Sequence, residues 1–242
     1  MKKRLIRFVI TAVGLLSALG SPNVIFAQSS VLGEWSAVQE WPLEAIHATL
    51  LPTGKVMVWQ TWTESVALWD PATGQFADAD SPLHNPFCAG HAWLSDGRLL
   101  VAGGHINNSV GEHRANIYNP FTNTWADNVP NMPNARPGKN GRWYPSATTL
   151  GNGDVLVMAG DMDFDGDAND LPQVYQASTN SWRNLTGARS VMPYYPRSFL
   201  VPDGRVVSLA TYTGTELINT AGTGSWSYIG NPLEPDSWDY VP

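Results

Sequence analysis

A thiol and a phenol, two of the more easily oxidised side-chain types, stand at matched places in this chain. Cys88 lies in His84-Asn85-Pro86-Phe87-Cys88-Ala89-Gly90-His91, and Tyr144 lies in Asn140-Gly141-Arg142-Trp143-Tyr144-Pro145-Ser146. Cys88 stands nine residues before Gly97, and Tyr144 stands nine before Gly153. Each heads the same short pattern, so a fold that sets copies of that pattern side by side brings a sulfur next to a phenol ring. Cys88 is the only cysteine, so the chain makes no internal disulfide. A buried, inert thiol that packs as a small hydrophobe is the plain alternative.

The elements that must position these residues are repeats. His47–Trp59, His91–Gly104, Ser146–Gly160 and Ser198–Ala210 each read as a short strand, a turn ending in Gly and a second apolar strand. The turn glycines are Gly54, Gly97, Gly153 and Gly204, a spacing near fifty residues. That spacing is the signature of kelch repeats. Asp-Gly and Asn-Gly at these turns predict hairpins in which both central residues take positive φ. A second half recurs as well, at Ala67–Phe76, Ala115–Trp125, Gln173–Trp182 and Glu216–Trp226. It supplies a third strand, a turn and a fourth strand with an aromatic, and Phe76, Trp125, Trp182 and Trp226 are expected to pack between neighbouring units. Four strands per unit, repeated radially, predict an all-β, kelch-type β-propeller with about four four-stranded blades.

Composition agrees. Gly 22, Pro 18 and Trp 11 in 242 residues favour turns and aromatic packing over long helices. Charged residues make up only 14%, the net charge is -7, and Lys and Arg are scattered after the N-terminus, which speaks against a nucleic-acid surface. Lys2, Lys3, Arg4 and Arg7 precede an apolar run from Phe8 to Leu19, the pattern of a signal peptide. The expected organisation is a signal peptide over 1–27 and a propeller over 28–242. The mature protein is then secreted or periplasmic, with no membrane span after signal removal.

The paired motifs Phe87-Cys88-Ala89-Gly90 and Arg142-Trp143-Tyr144-Pro145-Ser146 resemble the galactose oxidase and glyoxal oxidase family of copper-radical oxidases. The resemblance runs over about residues 33 to 230. It implies that Cys88 and Tyr144 are joined by a thioether and that the linked Tyr144 binds copper and holds a radical. It implies oxidation of a primary alcohol, an aldehyde or a sugar by O2, with hydrogen peroxide as the second product. Phe87, Trp143 and His84 are the candidates to surround the pair. Galactose oxidase places a Trp over the thioether where this chain has Met162, and Trp143 is the candidate replacement. Propellers of this kind have seven blades, and the family's second Tyr and two His come from later blades. The remaining blades are therefore expected from further sequence, and this stretch alone is expected to be inactive.

The five histidines, His47, His84, His91, His105 and His113, are assigned structural roles rather than copper ligation. The loop Asp161–Asp170 alternates carboxylates with a Gly at the sixth place, as calcium loops do, although Pro172 replaces the usual Glu at the twelfth. Asn107-Asn108-Ser109 and Asn184-Leu185-Thr186 match the glycosylation pattern, which carries no weight behind a bacterial-type leader. The competing function is a non-catalytic kelch propeller that binds carbohydrate or a cell-surface protein.

Overall fold

The structure, a computed structural model, describes residues 33, 35–126, 128–163, 166–211 and 214–231. The expected signal peptide over 1–27 lies outside the described residues. Gly33 and residues 35–40 form no regular element and belong to a separate unit, Met1–Glu40; all the strands lie in the unit Trp41–Pro242. The described residues are all-β, and none of them forms a helix long and apolar enough to cross a membrane.

Four four-stranded antiparallel sheets follow one another along the chain. The first holds β1 (His47–Leu50), β2 (Val56–Trp59), β3 (Val66–Asp70) and β4 (Gln75–Asp78). The second begins with β5 (Ala89–Trp93) and β6 (Leu99–Gly103). A two-stranded ribbon follows, β7 (His105–Asn107) with β8 (Val110–Gly111), before the sheet resumes with β9 (Ala115–Asn119) and β10 (Thr124–Ala126). The third is β11 (Ser146–Thr149), β12 (Val155–Met158), β13 (Gln173–Gln176) and β14 (Ser181–Asn184). The fourth is β15 (Arg197–Leu200), β16 (Val206–Thr211), β17 (Gly214–Asn219) and β18 (Ser225–Gly230). The repeats read from sequence are these sheets.

The turn after each first strand has one geometry. The amide of Gly54 donates to Leu51 O, and that of Leu51 to Lys55 O; the same two bonds recur at Gly97, Gly153 and Gly204. Only the Gly of each turn has positive φ, between 82° and 88°. The two-residue hairpin expected from Asp-Gly and Asn-Gly is therefore replaced by a three-residue loop. Two residues make an ordinary turn, and the Gly alone takes the left-handed position.

The second strands β6 and β12 are short apolar runs buried along their whole length, as sheets covered on both faces require. One apolar cluster joins Met57 and Trp59 to Leu99 and Tyr118, across the first and second sheets. A second joins Leu100 and Ile117 to Val157 and Tyr175, and a third joins Leu156 and Val174 to Val206 and Ile218. The repeated indoles bolt these interfaces. Trp125 Nε1 donates to Asp80 O at 2.7 Å, Trp182 Nε1 to Pro130 O at 2.8 Å and Trp226 Nε1 to Ala188 O at 2.7 Å. Each acceptor lies in the segment that leads from one sheet to the next.

Leu100 is fully buried between the second and third sheets. Leu100→Ala is expected to cost about 2–5 kcal/mol, the range for a large apolar side chain removed from a packed core. Urea unfolding of the variant reads this directly, and an unchanged midpoint contradicts the packing described.

Candidate redox site

The site forms where the chain enters the first strand of successive sheets. β5 and β11 lie alongside each other, and so do β11 and β15, without forming a ladder. Side chains tie them: Ser146 Oγ donates to Pro196 O at 2.6 Å, and Thr149 Oγ1 donates to Trp93 O at 2.6 Å. Cys88, Tyr144 and Tyr195 occupy the same position ahead of β5, β11 and β15. All three have left-handed backbones, with φ of 64°, 67° and 46°. Such residues cost about 1–2 kcal/mol each and persist only where surroundings hold them. Here each backbone amide is held: Cys88 N–H donates to His47 Nε2 at 3.2 Å, Tyr144 N–H to Cys88 O at 2.9 Å, and Tyr195 N–H to Tyr144 O at 3.0 Å.

The result is a cluster of sulfur and rings. Cys88 is fully buried and shares an apolar cluster with Phe87, Trp143, Tyr144 and Tyr194. The Tyr144 and Trp143 side chains beside its thiol partly offset the effect of burial on it. The Trp143 indole lies over the Tyr144 ring, with centroids 4.1 Å apart and planes 29° from parallel. Tyr195 packs tilted against Tyr144, with ring centroids 4.9 Å apart, and Tyr194 meets Tyr144 edge-on at 5.4 Å. Trp143 is itself pinned: its backbone pairs with Asp161 in both directions, and Nε1 donates to His105 Nδ1 at 3.0 Å. Beside it, the buried Arg142 guanidinium donates to the carbonyls of Ala159, at 2.7 Å, and Leu171, and to Gln173 Oε1 at 2.9 Å. Gly103 and Gly160 allow that segment through. A Cβ on Gly103 would sit 2.5 Å from Arg142 O, and one on Gly160 would sit 2.8 Å from Trp143 O.

Burial keeps the groups of the site neutral. It pushes the Cys88 thiol up to about 12, against the opposing contacts with Tyr144 and Trp143. It lowers His91 to about 4, and burial with the nearby His91 lowers His47 to about 3. Burial likewise raises Tyr195 well above the ordinary phenol value, helped by Cys88 and Tyr144. Asp161 is raised by burial despite the hydrogen bond it accepts from the Tyr194 hydroxyl. An imidazole or carboxyl shifted in this way favours its uncharged form in a dry, aromatic environment.

Of the residues singled out from sequence, Cys88, Tyr144, Phe87 and Trp143 come together. His84 does not join them. Its Nε2 meets Gly103 O at 3.1 Å and its Nδ1 meets Asn116 Nδ2 at 2.9 Å, so it serves as a buried peg beside β6 and β9. Met162 packs instead with Ala135 and Leu171. Tyr194, Tyr195 and Asp161 were not singled out for the site. Tyr195 had a readable signal, since it too stands nine residues before its turn glycine, Gly204. In the Asp161–Asp170 loop, Lys139 bridges Asp163 at 2.8 Å and Asp167 at 2.6 Å, while Arg189 pairs with Asp170 at 2.7 Å. A calcium ion there competes with Lys139; Asp165 lies outside the described residues. Among the described residues no group of three or more His, Cys, Asp or Glu side chains is placed to hold a metal ion.

These features define an all-β chain of successive four-stranded sheets with a thiol against a phenol at one corner. The chain is 25% identical over 172 residues to a galactose oxidase from Gibberella zeae, a match that covers 65% of this chain and 23% of that protein. It is 30% identical over 123 residues to a WSC domain-containing protein from Arthroderma benhamiae, covering 45% of this chain and 12% of that one. Its fold is similar to that of a fungal alcohol oxidase of the AA5 family in complex with copper, with a TM-score of 0.65 and 22% identity, covering 80% of this chain and 43% of that chain. No family model matches the chain. The chain is galactose oxidase-like in sequence, and it spans about a quarter of the length of the galactose oxidase it matches.

The half-buried His47 and His91 make stability sensitive to acid. Their folded pKa values, about 3 for His47 and about 4 for His91, lie below the ordinary value of 6.5. The unfolded chain therefore binds more protons between those values, and stability falls as pH drops from about 6.5 toward 4. His91→Gln is expected to flatten that slope by close to one proton in urea titrations. An unaltered slope contradicts the burial of a neutral imidazole.

Proposed function

We propose that the four sheets are blades of a kelch-type β-propeller of which this chain carries a part, and that it is a copper-radical oxidase-like protein. In this reading Cys88 and Tyr144 become linked by a thioether, and Tyr144 is a copper ligand that stores an oxidising equivalent. The substrate is a primary alcohol, aldehyde or sugar, with O2 as the final oxidant and hydrogen peroxide as product. The reading includes a signal peptide over 1–27 and a secreted or periplasmic protein. The observation that carries it is the buried Cys88 thiol against the Tyr144 ring, held by the Tyr144 N–H to Cys88 O bond.

The chain's own residues account for much of the expected chemistry. Copper, when bound, supplies one-electron redox chemistry beside the phenol, and the protein's part is to position and tune that centre. Tyr144 is the phenol oxygen that the described residues offer for it. Forming the thioether removes the thiol hydrogen and one ring hydrogen and makes the S–C bond. The two electrons and two protons released reduce O2 to hydrogen peroxide. Trp143, stacked at 4.1 Å, shields the ring from solvent and spreads charge over a second π-system, the part that the resemblance gives in galactose oxidase to a Trp at the place where this chain has Met162. With no group of three or more His, Cys, Asp or Glu side chains placed to hold a metal among the described residues, turnover in this reading needs ligands beyond them. That same shortage is what favours the second reading, a non-catalytic kelch propeller that binds carbohydrate or a cell-surface protein.

The test is exposure of the protein to copper in air, followed by intact mass and by alkylation in denaturant. The expected result is a loss of two hydrogens and a Cys88 that no longer alkylates; the mass loss is absent in Cys88→Ser, and both effects are absent in Tyr144→Phe. An unchanged mass with a fully alkylated thiol would falsify the redox reading and favour the binding one.

A further inference from the structure

The rings around Tyr144 do not end in the interior. Trp143 lies on Tyr144 at 4.1 Å, and its Nε1–H donates to His105 Nδ1 at 3.0 Å. His105 meets Trp62 edge-to-face at 4.6 Å, and Phe87 fills the gap, 5.3 Å from Trp62 and 5.4 Å from His105. Trp62 is 59% exposed. Its backbone has φ of 61°, a left-handed conformation that is unusual for a bulky residue. It forms part of the wall of an open groove of about 520 Å³, with Trp41, Glu44, Gln60 and Thr63.

We propose that Trp143, His105 and Trp62 form an electron-exchange route between the buried Tyr144 and a small one-electron redox partner that docks in the groove at Trp62. The proposal rests on reading Cys88 and Tyr144 as a redox pair. Nothing in substrate oxidation at Tyr144 requires a continuous line of contacting rings that ends in an exposed indole. The placing of His105 fits one step in particular. An oxidised indole is a strong acid at nitrogen, and Trp143 has a neutral imidazole acceptor aimed at that proton. Burial favours this neutral form by lowering the His105 pKa below its ordinary value.

The electrons balance as follows. A one-electron acceptor in the groove takes an electron from Trp62 and is reduced. Trp62 is restored by Trp143, whose Nε1 proton shifts to His105 as it is oxidised. Trp143 is restored by Tyr144 and takes its proton back from His105. The net change is a phenol that has lost one electron to the acceptor and its hydroxyl proton to water at the half-buried Tyr144. Run in reverse, the same route lets a donor at Trp62 quench the radical.

Hexacyanoferrate(III) is the probe, mixed by stopped flow with protein whose thioether has formed and followed by the optical and paramagnetic signals of the tyrosyl radical. Trp62→Phe keeps the ring shape but is hard to oxidise; Trp62→Tyr keeps an oxidisable ring. The expected result is radical formation slowed about tenfold or more in Trp62→Phe, the change that about 1.4 kcal/mol of added barrier gives, and largely restored in Trp62→Tyr. Equal rates in wild type and Trp62→Phe overturn the route while leaving the redox pair intact, because the oxidant then reaches Tyr144 without Trp62. A wild-type protein that carries the thioether but gives no radical overturns both.

Discussion

The site depends on one short run of hydrogen bonds donated by backbone amides. Cys88 N–H reaches His47, Tyr144 N–H reaches Cys88 O, and Tyr195 N–H reaches Tyr144 O. Each bond joins one sheet to the next at the point where the chain enters a first strand. It satisfies an amide that the sheet ladder leaves without a partner, so the donor is not stranded. It also fixes the left-handed turn at Cys88, Tyr144 and Tyr195, and that turn aims all three side chains into one space. Sulfur and phenols thus meet because the repeat brings equivalent backbone positions together, with no local motif needed to fold the site.

Dryness is the second consequence. The same corner is lined by Phe87, Trp143, Tyr194 and two imidazoles that burial holds neutral. A charged group placed there is poorly hydrated, so the surroundings favour chemistry in which an electron and a proton leave together. The carboxyl that comes near, Asp161, is capped by the Tyr194 hydroxyl and raised by burial. The fully buried Arg142 is drawn down to about 9 by burial, and its two terminal nitrogens donate to carbonyls and an amide that fix the Arg142–Trp143 segment. The positions of Trp143 and Tyr144 are therefore set by packing and hydrogen bonds more than by ion pairs.

Much of this was legible from sequence because it follows the repeat. The four sheets, the indoles between them and the meeting of Cys88 with Tyr144 all come from residues at fixed offsets from a turn glycine. Tyr195 obeys the same offset and passed unread, since nothing in Tyr194-Tyr195-Pro196 marked it as chemical. Other features depend on direction, which spacing does not encode. The stacking of Trp143 requires its indole to turn toward Tyr144, and the tie to His105 is made across 38 residues of chain. His84 sits four residues before Cys88 yet faces Gly103 and Asn116. The turn type was misread because Asp-Gly was given two left-handed residues where the three-residue loop needs one. The Asp161–Asp170 loop looked like a cation site because its counter-ions, Lys139 and Arg189, lie outside the loop in sequence.

The central claim is spatial: the repeat sets the Cys88 sulfur against the Tyr144 ring before any bond joins them. Nuclear Overhauser measurements on metal-free, reduced protein with labelled cysteine and tyrosine test it most directly. The account predicts strong contacts from the Cys88 β protons to the Tyr144 ring, and from that ring to the Trp143 indole. Their absence, with Tyr144 showing contacts only to solvent or to residues beyond the corner, contradicts it.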